Sequence, residues 1–474
     1  MKNIRVRFAP SPTGHLHIGS ARVALFNWLF AQHNNGTYVV RIEDTDTERS
    51  TQEYATSVID ALSWLGLESQ EPLVVQSTRI DRYKEVITQL LNEGKAYRCF
   101  VSEEDIEAYK RARMEHGEPM GYRSPWRDKQ PSEQDLQKPY AIRLKVPDDR
   151  ITVTFVDEIH GEIAVETAQL DDLIIQRSDG MPTYNFVVVI DDHDMEISHV
   201  IRGEDHISNT PKQIILYEAC GFEVPVFAHV PLILGPSGEK LSKRDAAVSV
   251  LDYRRNGYLS DAFCNYLVRL GWSHGDQELF SREQMISYFT LEHVGTKGSI
   301  FDEDKLKWFN SIYIKETDAI DLLAIIQRDV RPDFAQCVPR FSQEQQLKLI
   351  DIYKPRHATL SEIANEIIEL YSPSQVLPKD ALVEWATFEN VTRLHAVQNL
   401  LQEAASFDEE SLHHLLKGYC AEYSIKFSLI AQPIRLALTG TPSSPGIYAL
   451  LSCLGKEESL QRIGNFVTLL QTVT

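Results

Sequence analysis

Residues 4–42 constrain the fold more than any other stretch of this chain. Ile4, Val6 and Phe8 alternate with Arg5 and Arg7, the period-two pattern of a strand. The turn Pro10-Ser11-Pro12-Thr13-Gly14 follows, where two prolines and a glycine disfavour both helix and strand. A helix is predicted from near Ile18 to about His33, with Val23, Ala24, Leu25, Trp28 and Leu29 among its apolar positions. Asn34-Asn35-Gly36 supplies residues that tolerate a left-handed ending, and a β-branched strand is predicted over Thr37–Ile42. The next helix carries a capping box, Ser50 with Glu53, and stops at Gly66. Strand, Gly/Pro turn, helix, strand is the opening of a nucleotide-binding unit built on a parallel sheet.

The pattern then changes. Residues 98 to about 180 are highly charged up to Asp149, with Pro119, Pro125, Pro131, Pro139 and Pro147, and then alternate, as at 151–155. This stretch reads as an insertion interrupting the α/β fold, which resumes at the apolar run 186–190. A helix after Thr210 has Pro211 at its first position and Gly221 just past its end. A strand predicted over 226–234 leads into Gly235-Pro236-Ser237-Gly238. Beyond Ala246 the spacing is mostly helical, with breaks predicted at Pro332, Pro339, Pro373, Pro378 and Pro433. No internal repeat or low-complexity tract is present.

A length of 474 residues suggests two to four domains. Apolar runs such as 186–190 fall far short of the roughly 18–20 residues of a membrane span, and the N-terminus reads as a strand rather than a leader. A cytoplasmic location is therefore expected. The cysteines (Cys99, Cys220, Cys264, Cys337, Cys420, Cys453) are scattered, which suits reduced, mostly buried thiols. His413-His414, with Glu409 and Glu410 one turn earlier, could bring only two groups onto one ion; i,i+4 pairing on a solvated helix is the expectation. A net charge of −20 weighs against a nucleic-acid binder only weakly, because binding depends on local patches. Lys110, Arg111, Arg113, Arg123, Arg127 and Lys129 are candidates for a basic strip.

Two segments carry recognisable chemistry. Between the first strand and helix lie Arg7-Phe8-Ala9-Pro10-Ser11-Pro12-Thr13-Gly14-His15-Leu16-His17-Ile18-Gly19-Ser20. Backbone N–H groups at a helix start favour an anion, a histidine can donate to a phosphate oxygen, and Gly19 removes a side chain where a nucleotide would lie close. The second is Glu239-Lys240-Leu241-Ser242-Lys243-Arg244, a cation-rich loop suited to stabilising a departing pyrophosphate.

Together these resemble the paired signatures of class I aminoacyl-tRNA synthetases, and closely those of the bacterial glutamyl-tRNA synthetase family. His17-Ile18-Gly19-Ser20 corresponds to the HIGH motif, with Ser20 in place of its last histidine, and Lys240-Leu241-Ser242-Lys243-Arg244 to KMSKS. Arg41-Ile42-Glu43-Asp44-Thr45-Asp46, Pro182-Thr183-Tyr184-Asn185-Phe186 and His199-Val200-Ile201-Arg202-Gly203-Glu204-Asp205 match further family segments. So do Lys305-Leu306-Lys307-Trp308-Phe309-Asn310 and, near the C-terminus, 435–440, Ser444-Pro445-Gly446, Leu454-Gly455 and Arg462-Ile463.

The resemblance implies ATP at Pro10, Ser11, Thr13, Gly14, His17, Ile18, Gly19, Ser20 and the loop Lys240, Leu241, Ser242, Lys243, Arg244. It implies L-glutamate at Arg7, Ala9, Ser11, Glu43, Tyr184 and Arg202. Glu43 offers a carboxylate to the α-ammonium. Arg202 and Arg7 suit a substrate with two carboxylates, and glutamine would leave a buried arginine unpaired at a cost of about 3–5 kcal/mol. Mg2+ is expected with ATP, and no structural zinc: relatives' Cys-x-Cys and Cys-x-His ligand positions hold Cys99, Val101, Trp126 and Asp128 here.

The implied fold is an α/β Rossmann-like catalytic domain with a parallel sheet, an inserted α+β acceptor-binding domain and an all-α C-terminal anticodon-binding region. The expected boundaries are 1–97 and 188–245 for the two catalytic halves, 98–187 for the insertion, 246–320 for a helical stem-contact domain and 321–474 for the anticodon-binding domain. Activation of glutamate to its adenylate and transfer to the 3′-terminal adenosine of tRNA(Glu) is the expected reaction. Charging of tRNA(Gln) is left open, and a monomer is expected. The long helical C-terminus speaks against the shortened paralogue that glutamylates queuosine. Intact Lys243, Glu43 and Arg202 speak against a silent paralogue, and Arg202 against a glutaminyl enzyme.

Overall fold

The computed structural model describes residues 3–45, 51–239, 249–371 and 385–473. The chain divides into two compact units, Met1–Asp252 with Phe263–Glu303, and Tyr253–Ala262 with Asp304–Thr474.

The strands of the first unit's two larger sheets, in chain order, are β1 (Arg5–Phe8), β2 (Thr37–Ile42), β3 (Val74–Val75), β4 (Ala96–Cys99), β5 (Ala141–Leu144), β6 (Thr152–Asp157), β7 (Gly161–Glu166), β8 (Leu173–Gln176), β9 (His199–Gly203) and β10 (Val226–Val230). The main sheet has the order β3-β2-β1-β9-β10-β6-β7. Every pair in it is parallel except the β6–β7 hairpin. The chain winds outward from β1 through β2 to β3, then returns to place β9 and β10 on the other side. The order therefore reverses beside β1, where a crevice opens at the carboxyl ends of the strands. Its core includes Val39, Phe186, Ile190, Val200, Ile215 and Phe227.

The helices of this region are α1 (Ile18–His33), α2 (Gln52–Trp64), α3 (Ile80–Asn92), α4 (Glu103–Glu115), α5 (Tyr184–Asp194) and α6 (Thr210–Cys220). Helix α1 and β2 have the predicted bounds. Asn35 takes the left-handed turn after α1, at φ 52°. Gly36 is needed for a different reason: a Cβ there would lie 2.4 Å from the Ile4 carbonyl oxygen. The described cap of α2 is Thr51, whose side chain accepts from Tyr54 N at 3.2 Å, one residue beyond the predicted Ser50, which lies outside the described residues. The apolar run 186–190 forms the interior of α5. The strand predicted over 226–234 is two strands, β10 and Ile233–Leu234, the second pairing with Ser299–Ile300. Pro231 lies between them and has no N–H for a ladder.

Within 98–180, α4 accompanies a separate antiparallel sheet of order β4-β5-β8. The β6–β7 hairpin instead joins the main sheet, with Asp157 opposite Phe227 and Glu158 N donating to Phe227 O at 2.9 Å.

The second unit is helical among its described residues. Leu349, Ile363, Ile367, Leu394, Val397, Leu412, Ile434, Leu450 and Ile463 belong to one buried cluster. Buried Asn310 accepts from Leu259 N at 2.8 Å and donates to Ala358 O at 2.6 Å. Pro433, where a break is predicted, instead sits inside the helix Ser428–Thr439. The ring is buried with Ile430 and Ile434, and that apolar packing offsets the lost backbone bond. Pro373 and Pro378 lie outside the described residues. On the helix Glu409–Glu422, His414 and Glu410 form an exposed i,i+4 pair at 4.0 Å.

Candidate active site

A cleft of about 350 Å³ opens at the carboxyl ends of β1, β2, β9 and β10. Most of the amino-acid and nucleotide candidates among the described residues line it: Arg7, Ala9, Pro10, Ser11, His17, Gly19, Ser20, Glu43, Tyr184 and Arg202. Thr13, Gly14 and Ile18 do not, and Ile18 is fully buried in α1. Lys240, Leu241, Ser242, Lys243 and Arg244 lie outside the described residues, as does Asp46.

One wall is a network of matched charges. Arg7 lies in β1, one residue before its end, and Arg41 in β2, both buried because a parallel sheet is covered on both faces. Arg7 Nε donates to Asp192 Oδ1 at 3.1 Å, and Arg41 Nη1 to the same oxygen at 2.6 Å. Arg41 Nη2 also holds Glu43 Oε1 at 3.0 Å. Asp191 beside it accepts from Gln76, Arg79 and Tyr83. Burial would raise the Asp192 carboxyl, but Arg7 and Arg41 hold it below the ordinary value. For Glu43 burial wins over Arg41, so its carboxyl is raised. Pro10 O accepts from Glu43 N at 3.0 Å, which joins the Pro turn to the end of β2.

The opposite wall is built differently. Arg202, 6% exposed, donates from Nε to His229 Nε2 at 3.1 Å and from Nη2 to Thr210 Oγ1 at 2.8 Å. Among the described residues none of its partners is a carboxylate, and its buried Nη1 has no hydrogen-bond partner. Burial lowers its pKa. Tyr184 starts α5, and its hydroxyl lies 3.2 Å from His206 Nδ1. Burial, aided by Glu43, pushes the phenol up to about 12, and burial followed by Arg202 pushes His206 down to about 4.

His17 caps α1. Ser20 N donates to its Nδ1 at 3.3 Å, and Ser20 Oγ lies 2.9 Å from its Nε2. The accepting Nδ1 places the ring proton on Nε2. A Cβ on Gly19 would meet the His17 ring at 3.1 Å, so this glycine makes room for the cap itself. Arg22, also lining the cleft, is buried and donates to Pro231 O and Leu270 O; burial lowers it to about 10.

Asp191, Asp192, Asp157, His206, Thr210 and His229 were not singled out by the sequence reading. The first pair left a signal: two acids directly after five apolar residues are carried into the interior and need cations there. Asp157 and His229 left none, since they meet only through the pairing of β6 with β10.

Around Cys99, Sγ lies 3.3 Å from Ser124 Oγ, Trp126 packs on Phe100 with centroids 4.7 Å apart, and Asp128 pairs with Lys145. Most of the candidate basic strip is engaged internally. Lys110 pairs with Asp171, Arg113 with Glu118, and Arg123 and Arg127 with Asp172, while Lys129 lies over the Trp126 ring. Among the described residues no helix is long and apolar enough to cross a membrane.

A buried carboxylate and a buried arginine without an acid, in one cleft, suit a ligand carrying both an ammonium and a carboxylate group. Comparison with known proteins points the same way. A family model described as tRNA synthetases class I (E and Q), catalytic domain, matches residues 3–308, and one described as an anticodon binding domain matches 326–467. The chain is 45% identical over 462 residues to the glutamate–tRNA ligase of Thermodesulfovibrio yellowstonii, spanning 97% of this chain and 98% of that one. It is 43% identical to that of Geobacter sulfurreducens, over 99% and 100%. The crystal structure of a glutamate tRNA ligase from Elizabethkingia meningosepticum in complex with its amino acid is similar at a TM-score of 0.86 and 32% identity, over 99% and 100%.

Proposed function

This chain belongs to the class I tRNA synthetases of the glutamate and glutamine branch, and from that premise we propose that the cleft activates L-glutamate with ATP for transfer to tRNA(Glu). The activity itself is that of a glutamate–tRNA ligase. The single observation that carries the substrate assignment is Arg202: a buried guanidinium with no carboxylate partner and an unsatisfied Nη1 in the cleft wall. A side-chain carboxylate of the substrate would both accept from Nη1 and neutralise the buried charge, whereas a neutral amide could accept a hydrogen bond but would leave the charge unmet.

In this reading Glu43 receives the α-ammonium, and Arg7, Ala9, Ser11 and Tyr184 border the amino acid. The nucleotide lies over the turn from Pro10 to Gly14 and the start of α1, from His17 to Ser20. The α-carboxylate then attacks the α-phosphorus and pyrophosphate leaves. Lys240, Ser242, Lys243 and Arg244, with Leu241 between them, meet the charge that builds on the leaving group. The 2′-hydroxyl of the terminal tRNA adenosine attacks the acyl carbon and AMP departs. No protein nucleophile is needed; positioning and electrostatics do the work. Among the described residues no group of three or more His, Cys, Asp or Glu side chains could hold a metal ion; Mg2+ is proposed as the companion of the ATP phosphates. Residues 98–187 would grip the acceptor end and 321–474 read the anticodon, with 246–320 contacting the stem. The enzyme would act as a cytoplasmic monomer.

The test is transfer of labelled glutamate to purified tRNA(Glu) and tRNA(Gln), with wild type and Lys243→Ala. Charging of tRNA(Glu) alone, lost in the variant, is the expected result. Charging of both would define a non-discriminating enzyme. Full charging by Lys243→Ala would remove the proposed role of that loop.

A further inference from the structure

Arg202 is oriented without being neutralised, and the means lie behind it. His229 is fully buried in β10 and does not line the cleft. Its Nδ1 lies 2.6 Å from Asp157 Oδ2. Asp157, fully enclosed at the end of β6, is fixed in turn through Oδ1, which accepts from Ile159 N at 3.1 Å, His160 N at 3.0 Å and His229 N at 3.3 Å.

A charged carboxylate this close demands a proton on Nδ1, so Nε2 carries the lone pair that accepts from Arg202 Nε. In the other tautomer, Nε2–H would oppose Arg202 Nε–H and the Nδ1 lone pair would oppose the carboxylate. The protonation states agree with this geometry. Burial would raise Asp157, but His229 and the backbone N–H groups leave it lowered. Burial lowers His229, keeping the imidazole neutral.

The relay has a consequence that a direct ion pair would not have. Arg7 and Arg41 share Asp192 at hydrogen-bond distance and Arg41 also holds Glu43, so their charges are met by acids inside the protein. The acid behind Arg202 stands one imidazole away. We propose that Asp157 and His229 are positioning residues that hold Arg202 in place while leaving its charge for the substrate, and thereby set the preference for a side-chain carboxylate over an amide. This rests on the reading of Arg202 as the site of that carboxylate.

The test compares full-length His229→Leu, His229→Gln, Asp157→Asn and Arg202→Gln in tRNA charging, reading KM for glutamate, KM for ATP, kcat and the glutamate-to-glutamine preference. Circular-dichroism melting checks that each variant is folded. His229→Leu orphans Arg202 Nε and should raise the glutamate KM by about tenfold or more, lower the preference to match, and leave the ATP KM within about twofold. His229→Gln, whose amide oxygen can accept from Arg202 Nε, should restore most of that loss. Asp157→Asn should raise the glutamate KM roughly severalfold with the ATP KM unchanged.

Unchanged glutamate KM and preference in His229→Leu would overturn the relay. So would glutamate and ATP KM values rising together without rescue by His229→Gln, which is what a merely structural role predicts. If His229→Leu fails to fold, wild-type kinetics in both His229→Gln and Asp157→Asn overturn it instead. Arg202→Gln separates the two layers: if it leaves glutamate binding intact, the carboxylate site itself is wrong. If it abolishes binding while the relay variants behave as wild type, only the relay is wrong.

Discussion

The two walls of the cleft each bury arginine, and they use it in opposite ways. On the β1–β2–α5 side, Arg7 and Arg41 meet Asp192, and Arg41 also meets Glu43. On the β9–β10–β6 side, Arg202 meets an imidazole, a hydroxyl and a carbonyl. A buried arginine with its acid beside it is part of the framework. One whose acid stands behind a histidine keeps an unmet charge, and an anion entering the cleft can meet it. Sequence motifs marked Arg7 and Arg202 alike as carboxylate binders; the structure gives them different partners.

Each wall can be tested by removing what distinguishes it. The largest expected effect is Asp192→Ala, which strands Arg7 and Arg41 without their shared acid. It should cost about 3–5 kcal/mol of stability, read as a fall in denaturation midpoint that added glutamate does not repair. Arg202→Gln should do the reverse. Stability should hold or rise, because an uncompensated buried charge is gone, while kcat/KM for glutamate falls by the roughly 2–5 kcal/mol of a lost buried partner, about 30- to several-thousand-fold. If Arg202→Gln unfolds the protein and Asp192→Ala spares it, the assignment of the walls is inverted.

Acid separates them next. His206 is depressed from 6.5 to about 4, so the unfolded chain takes up a proton that the native state refuses. Its contribution is present above pH 6.5 and is lost as pH falls toward about 4. Asp192 lies below its ordinary 3.8, so its contribution persists until pH drops beneath that value. Melting temperature against pH should show two declines, and His206→Asn should flatten the upper one by roughly a few degrees. The smallest effect is a control away from both walls. Ser342 accepts from Gln345 N in a capping box, and Ser342→Ala should lower stability by about 1 kcal/mol with the glutamate KM unmoved.

Much of this was legible in the chain because it is local. The alternation around Val6, the Pro turn and the spacing of α1 each depend on residues within a turn or two, and β1, α1 and β2 stand where the pattern puts them. Motifs likewise named most of the cleft's lining. Mistakes arose where a neighbour in space overrides a local rule. Pro433 stays in its helix because its ring is packed, and strand 226–234 divides because Pro231 cannot join a ladder. Of the candidate basic strip, Lys110, Arg113, Arg123 and Arg127 each pair with an acid, at 171, 118, 172 and 148 or 172, partners that the fold supplies and the local run does not show.

What the sequence determined by itself is the kind of chemistry available: strand ends that deliver arginine, glutamate and histidine to one crevice, a consequence of periodicity and chain order. What only the tertiary structure decided is which of those charges are already answered. Asp157 and His229 are 72 positions apart and belong to strands joined only by sheet pairing. No local pattern can register a charge whose counter-ion arrives through the fold.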